Sequence, residues 1–228
     1  MKTFLTHILP LLFFGSVFAQ DVLSCMMKVE ANLSEKIQVD FTRKVSKDLQ
    51  KIRMRKSKTK NDKVFIKYVF NFLHRNYLKE YHKTANFVQT IVSGKYNCVT
   101  GTALIGYFLE ELGYECIYYE TKTHVFLLTN LNNDDKLLVE STAFFSGGLI
   151  DDEKKIAETF TDYQPIATIR LIHLVGLQLY NEGVLAYEKQ DYLKSLSLGN
   201  QAYYFYPSTR HKVLCNLARR KLECQRVF

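Results

Sequence analysis

The chain has 228 residues, 47% hydrophobic and 14% aromatic, with 31 Lys or Arg against 23 Asp or Glu, a formal net charge of +8. That composition excludes a wholly disordered chain, and the length leaves room for one medium domain or two small ones. It has no tryptophan and only three prolines, which suits a helix-rich fold with few rigid turns.

Residues 1–19, MKTFLTHILPLLFFGSVFA, read as a signal peptide. Lys2 supplies the positive start, Ile8 to Phe14 a short apolar run, and Val17-Phe18-Ala19 a cleavage site. The run is too short to span a bilayer. The expected location is therefore exported, periplasmic or secreted. An uncleaved anchor and a lipid on Cys25 are the alternatives, although Asp21 interrupts the apolar region ahead of Cys25.

Residues 20–61 read as a basic N-terminal helical segment. From Arg43 to Lys63 ten Lys or Arg residues face only Asp48 and Asp62. Such a run is either a solvated helix face leading into a polar loop or a weak contact for an anionic surface. No aromatic-rich binding motif accompanies it, so no nucleic-acid partner is expected.

After a polar break at Lys58 to Asp62, Val64, Phe65, Tyr68, Val69, Phe72 and Leu73 recur at helical spacing, ending near Leu78. A short helix over Thr84 to Val92 leads into a Ser93-Gly94 turn. The next helix begins at Cys98, carries Ala103, Leu104, Tyr107, Phe108, Leu109 and Leu112, and stops at Gly113. A thiol at a helix amino terminus lies where the dipole and the free amides favour a thiolate.

The period then changes. ECIYYE (115–120), THVFLLT (123–129) and KLLVEST (136–142) are rich in β-branched and aromatic residues, as strands should be. The last two form an antiparallel hairpin around Asn130 to Asp135. A turn centred on Asn132 places His124 directly opposite Glu140, with Cβ atoms roughly 5 Å apart. Residues 143–164, with Gly147-Gly148 and the charged DDEKK run, read as a loop with one helical turn. From Ile166 onward the pattern is helical.

The five cysteines (25, 98, 116, 215 and 224) form no CxxC pair and no metal spacing, so no metal or organic cofactor is expected. Cys215 and Cys224 fall on opposite faces of one helix and cannot bridge within it.

A thiol at a helix start, a strand histidine and a carboxylate on the neighbouring strand are the three groups acyl transfer needs. Cys98 would be the nucleophile, His124 the base and later the acid, and Glu140 the carboxylate that orients the imidazole. The backbone N–H of Cys98 would donate to an oxyanion; a second donor is open among Asn97, Tyr96 and Gln89. Each residue also has a structural reading: a packing thiol, a satisfied core histidine, an alternating surface glutamate.

The stretches Asn97-Cys98-Val99-Thr100-Gly101-Thr102-Ala103-Leu104, Leu112-Gly113-Tyr114, Thr123-His124-Val125-Phe126 and Val139-Glu140-Ser141-Thr142 resemble the transglutaminase-like (papain-like) cysteine superfamily. The resemblance covers roughly residues 62 to 150. It implies an α+β fold in which the cysteine helix packs on a small antiparallel sheet. It also implies a peptide or protein substrate. The chain departs from the family pattern in carrying Glu where Asp is usual, and in lacking the tryptophans beside the cysteine and histidine.

Residues 181–207 resemble one tetratricopeptide repeat, with Gly183, Tyr187, Asp191-Tyr192, Lys194, Ser195, Ala202 and Pro207 at the family spacings. Residues 208–225 would supply the next helix. One repeat cannot bury its own face, so the pair is expected to pack on the cysteine domain or on a protein partner. The expected organisation is a signal peptide (1–19), a basic helical segment (20–61), a transglutaminase-like domain (62–163) and a tetratricopeptide-like tail (164–228). The expected function is thiolate acyl transfer on peptide or amide bonds, by a peptidase, amidase or cross-linker. The alternative is a catalytically silent interaction module.

Overall fold

The computed structural model describes residues 22–28, 33–131, 135–143 and 147–225. Residues 1–19, read from the sequence as a signal peptide, and the residue expected to centre the hairpin turn, Asn132, lie outside the described residues. The architecture is α+β: helices surround one five-stranded antiparallel sheet, and a two-stranded parallel ribbon lies beside it.

Helix α1 (Glu35–Lys56) starts where the Ser34 side chain accepts from the Ile37 amide. Phe41, Val45, Leu49 and Ile52, three or four residues apart, form its buried stripe. Helix α2 (Asp62–Asn76), capped by Asn61, buries Phe65, Ile66, Val69, Phe70 and Leu73. Most of the basic run is engaged within the protein. Lys44 and Lys51 pair with the buried Asp48, which also accepts from the Tyr77 hydroxyl at 2.8 Å. Arg53 pairs with Glu111, Arg55 and Lys56 lie over the rings of Tyr68 and Tyr114, and Lys63 pairs with Asp151.

Strands β1 (Glu80–Tyr81) and β2 (Lys95–Tyr96) pair in parallel, with Tyr81 beside Tyr96. Between them lies α3 (Phe87–Val92), started by an Asn86–Gln89 capping box. Helix α4 (Cys98–Glu111) follows at once and is buried along nearly its whole length. Gly113, at φ +83°, ends it in the left-handed conformation a glycine adopts without strain.

The sheet comprises β3 (Cys116–Glu120), β4 (Val125–Asn130), β5 (Lys136–Val139), β6 (Leu149–Ile150) and β7 (Ala167–Ile169), in the order β6-β5-β4-β3-β7. One face, with Tyr118, Val125, Leu127 and Val139, joins the main core around α4. The other face carries Phe126, Leu128 and Leu138, packed with Ile156 and Phe160.

Two expectations fail here. Residues 153–163 form an eleven-residue helix, α5 (Glu153–Tyr163), instead of a single turn. Its charged start masks an Ile156, Phe160, Tyr163 stripe at i, i+4, i+7 that covers the outer sheet face. Ala167–Ile169, expected to be helical, pairs with β3 as β7. A three-residue strand is too short to display a period. The edge of the cysteine domain's sheet is thus built from residues beyond position 163.

Helices α6 (His173–Glu188), α7 (Tyr192–Phe205) and α8 (Thr209–Gln225) make the tail. Gly183 lets α6 and α8 approach, since a Cβ there would lie 2.9 Å from a Leu214 methyl. The tail packs on the cysteine domain. Leu174, Val175, Leu177 and Leu179 enter the main core. The buried Glu120 carboxylate at the end of β3 accepts from the Tyr206 hydroxyl at 2.6 Å and pairs with Arg210 at 2.9 Å. No described helix is long and apolar enough to cross a membrane.

Candidate active site

Helix α4 starts at Cys98 because Asn97 caps it. The Asn97 side-chain oxygen accepts from the Thr100 amide at 2.9 Å, and the Thr100 hydroxyl accepts from the Asn97 amide at 3.0 Å. The Asn97 amide group also donates to the Ala85 carbonyl at 2.7 Å, tying the cap to the segment ahead of α3. Cys98 therefore sits in the first turn, half-buried, where the first amides have no intrahelical partner.

His124 stands just before β4. Its amide donates to the Thr121 hydroxyl at 2.9 Å and its carbonyl accepts from the Thr121 amide at 2.8 Å, which fixes the turn that presents the ring. Nε2 lies 2.5 Å from Glu140 Oε2, and the Cys98 sulfur is near enough for its presence to raise the imidazole pKa. With Nε2 occupied, Nδ1 is the nitrogen left for sulfur. The three predicted site residues are brought together in one line.

The register that does so is not the expected one. Leu127 pairs with Val139 and Asn130 with Lys136, so the hairpin turn is centred at 133 rather than 132. Moving the turn by one residue moves the pairing by two, which preserves the face but puts Glu140 diagonal to His124. The side chain spans that diagonal, which long side chains can do. Glu140 is nearly fully buried, at 3% exposure. Its amide donates to the Gly148 carbonyl at 2.7 Å, and Oε1 accepts from the amide and the hydroxyl of Thr142 at 3.0 and 2.7 Å. Gly148 has to be glycine, because a Cβ there would collide with the Glu140 carbonyl oxygen.

The electrostatics follow from this packing. Burial alone would push the His124 pKa down, yet the neighbouring Cys98 sulfur and the bond and charge of Glu140 outweigh it and raise the imidazole to about 10. Burial likewise disfavours the Glu140 charge, but the bond and charge of His124 and the two bonds from Thr142 hold its pKa below the ordinary 4.5. Burial pushes the Cys116 thiol up to about 12, so it is a poor nucleophile.

No protein-family model matches the chain, and no curated protein matches it.

Several residues at the site escaped sequence reasoning. Tyr163, at the end of α5, stands near enough to the Glu140 carboxylate for it to help raise the phenol pKa after burial, and sets its ring 5.2 Å from that of His124. The stripe of α5 was the signal for it. Ser141 Oγ lies 3.1 Å from the Thr102 hydroxyl and 3.5 Å from the Cys98 carbonyl, joining β5 to α4. Gln178 of the tail, 1% exposed, accepts from the Asn97 amide group at 3.4 Å. No local pattern announces a contact across that much chain.

A cleft of about 430 Å³ opens over the thiol. Tyr81, Lys83 and Thr84 line one side; Gln178, Asn181, Glu182 and Leu185 of α6 line the other, with Cys98 and His124 among the lining residues. Of the three donors considered for the oxyanion, Asn97 reaches the cleft but its amide group is committed to Ala85 and Gln178. Tyr96 is buried and Gln89 closes its own capping box. Among the described residues no group of three or more His, Cys, Asp or Glu is placed to hold a metal ion. No disulfide joins Cys98, Cys116, Cys215 or Cys224.

Proposed function

We propose that the protein is an exported, transglutaminase-like cysteine acyltransferase or hydrolase acting on peptide or amide bonds. The observation that carries the reading is the line from thiol to imidazole to buried carboxylate, open to a cleft at the start of α4. His124 takes the thiol proton and Glu140 holds the resulting imidazolium. Sulfur attacks the acyl carbon, and the electron pair of the broken bond leaves with the amine, which collects the proton from His124. Water or a second nucleophile then resolves the thioester. The site needs no metal for any of these steps. Export rests on the pattern of residues 1–19 alone, and a docking role for the tail on its resemblance to a tetratricopeptide repeat.

Incubation with p-nitrophenyl acetate tests the reading. Intact and peptide mass spectrometry should find acetyl on Cys98, and His124→Ala should slow its formation by about 10²–10⁴-fold. An unmodified Cys98 in the wild type would leave the silent interaction module in its place.

A further inference from the structure

The geometry points to Tyr81 as a further catalytic residue of this site, its hydroxyl donating a hydrogen bond to the oxyanion of the tetrahedral intermediate formed at Cys98. This assignment rests on the cysteine reading above and deepens it.

Tyr81 is placed by the backbone. Strand β1 pairs in parallel with β2, the residue pair Tyr81–Tyr96 is in register, and the His82 amide donates to the Tyr96 carbonyl at 2.8 Å. Two residues after Tyr96 comes Cys98, so the ladder fixes Tyr81 relative to the nucleophile. Its ring stands edge-on to that of Tyr96, centroids 6.0 Å apart at 83°. Tyr96 is buried beneath it, while Tyr81 is 51% exposed and lines the cleft with Cys98 and His124.

The electrostatic setting gives the hydroxyl its role. Burial, and then the charges of Cys98 and Glu140, raise the phenol pKa, so the group stays an O–H donor facing a site where negative charge develops. No hydrogen bond among the described residues holds that hydroxyl. Gln178, Asn97 and Thr84 are engaged elsewhere: Gln178 donates to Glu182 and Ala85, Asn97 to Ala85 and Gln178, and the Thr84 hydroxyl meets His82. Lys83, Thr123, Tyr180 and Asn181 also line the cleft, and Tyr81 is distinguished from them by its ladder pairing with Tyr96, two residues before the nucleophile.

In the step concerned, the Cys98 thiolate, its proton already held on His124, forms the S–C bond. The carbonyl π pair moves onto oxygen. The Cys98 amide and the Tyr81 hydroxyl receive that charge from two sides. The pair then returns to carbon and the leaving group departs with the electrons of the broken bond. A donor aimed at the developing charge acts in the transition state and leaves substitution at sulfur unaided.

That difference supplies the test. Two reagents are compared on full-length wild-type protein and Tyr81→Phe, with folding checked by circular dichroism. p-Nitrophenyl acetate acylates through an oxyanion and releases p-nitrophenolate; iodoacetamide alkylates by direct displacement of iodide and forms none. Tyr81→Phe should slow acylation of Cys98 by about 10²-fold and change alkylation by less than about 3-fold. Equal acylation rates overturn the assignment. Equal losses in both reactions also overturn it, since they place the hydroxyl's effect on sulfur or on packing. If neither reagent modifies wild-type Cys98, the cysteine reading itself fails and takes this one with it.

Discussion

At the scale of single residues, His124 is the group whose state the site sets. Its neighbours Cys98 and Glu140 hold it charged, with a pKa of about 10, whereas burial pushes the other enclosed imidazoles, His74 and His211, down to about 4. Histidine NMR titration should find one ring protonated well above neutral pH and two neutral. Glu140→Gln removes the charge that supports the imidazolium, so the high-pH titration should move down. The sign of the stability effect follows. A raised pKa contributes stability that is complete below the ordinary 6.5 and lost as pH rises through about 10. Denaturation at stepped pH should show wild type losing stability across that window, and Glu140→Gln losing less; parallel curves would deny the coupling. The candidate residues were legible in the sequence because the thiol opens a readable helix, while the imidazole and the carboxylate flank two readable strands, His124 just before β4 and Glu140 just after β5. Their contact was legible only up to parity. A turn shifted by one residue keeps the same face outward, and a glutamate reaches a diagonal partner, so the pair forms despite the wrong register.

At the scale of elements, the cap of α4 matters most. Asn97 is 2% exposed and satisfies the Thr100 amide, the Ala85 carbonyl and Gln178 together. Asn97→Ala should cost at least the roughly 1–2 kcal/mol of a lost N-cap in urea denaturation, and should slow alkylation of Cys98 as the first turn frays. An unchanged midpoint would mean that the cap is dispensable. The sheet side has its own constraint at Gly106, where a Cβ would overlap the Tyr118 hydroxyl. Gly106→Ala forces that ring off Glu110, which accepts from its hydroxyl at 2.6 Å, at a cost of about 1–3 kcal/mol. Helices α1, α2, α4 and the tail pair were readable because long amphipathic stripes and glycine stops dominate their sequences. Helix α5 and strand β7 were not, one because its acidic and basic start resembles a loop, the other because three residues carry no period.

At the scale of the molecule, the tail is a wall of the cleft and an edge of the sheet. Strand β7 pairs with β3, α6 faces the thiol, and Tyr206 and Arg210 clasp the buried Glu120. Arg210→Ala leaves that carboxylate without its cation and should destabilise the whole chain by about 3–5 kcal/mol. Removal of residues 164–228 should yield insoluble protein, because it bares β3 and the core around Leu174 and Val175. A soluble, folded truncation would show instead that the tail is a separate unit. The resemblance of residues 181–207 to a single repeat made packing of the tail legible in the sequence, though not the surface it covers: that depends on Gln178 and Arg210, whose partners lie far away in the chain.

The working state of the Cys98–His124–Glu140 line is tested most directly by limiting iodoacetamide at neutral pH, with each cysteine quantified by peptide mass spectrometry in wild type and His124→Ala. Cys98 should be alkylated far faster than Cys116, and His124→Ala should erase that preference. Equal rates at Cys98 and Cys116, or a preference that survives loss of His124, would contradict a thiolate made by its imidazole partner.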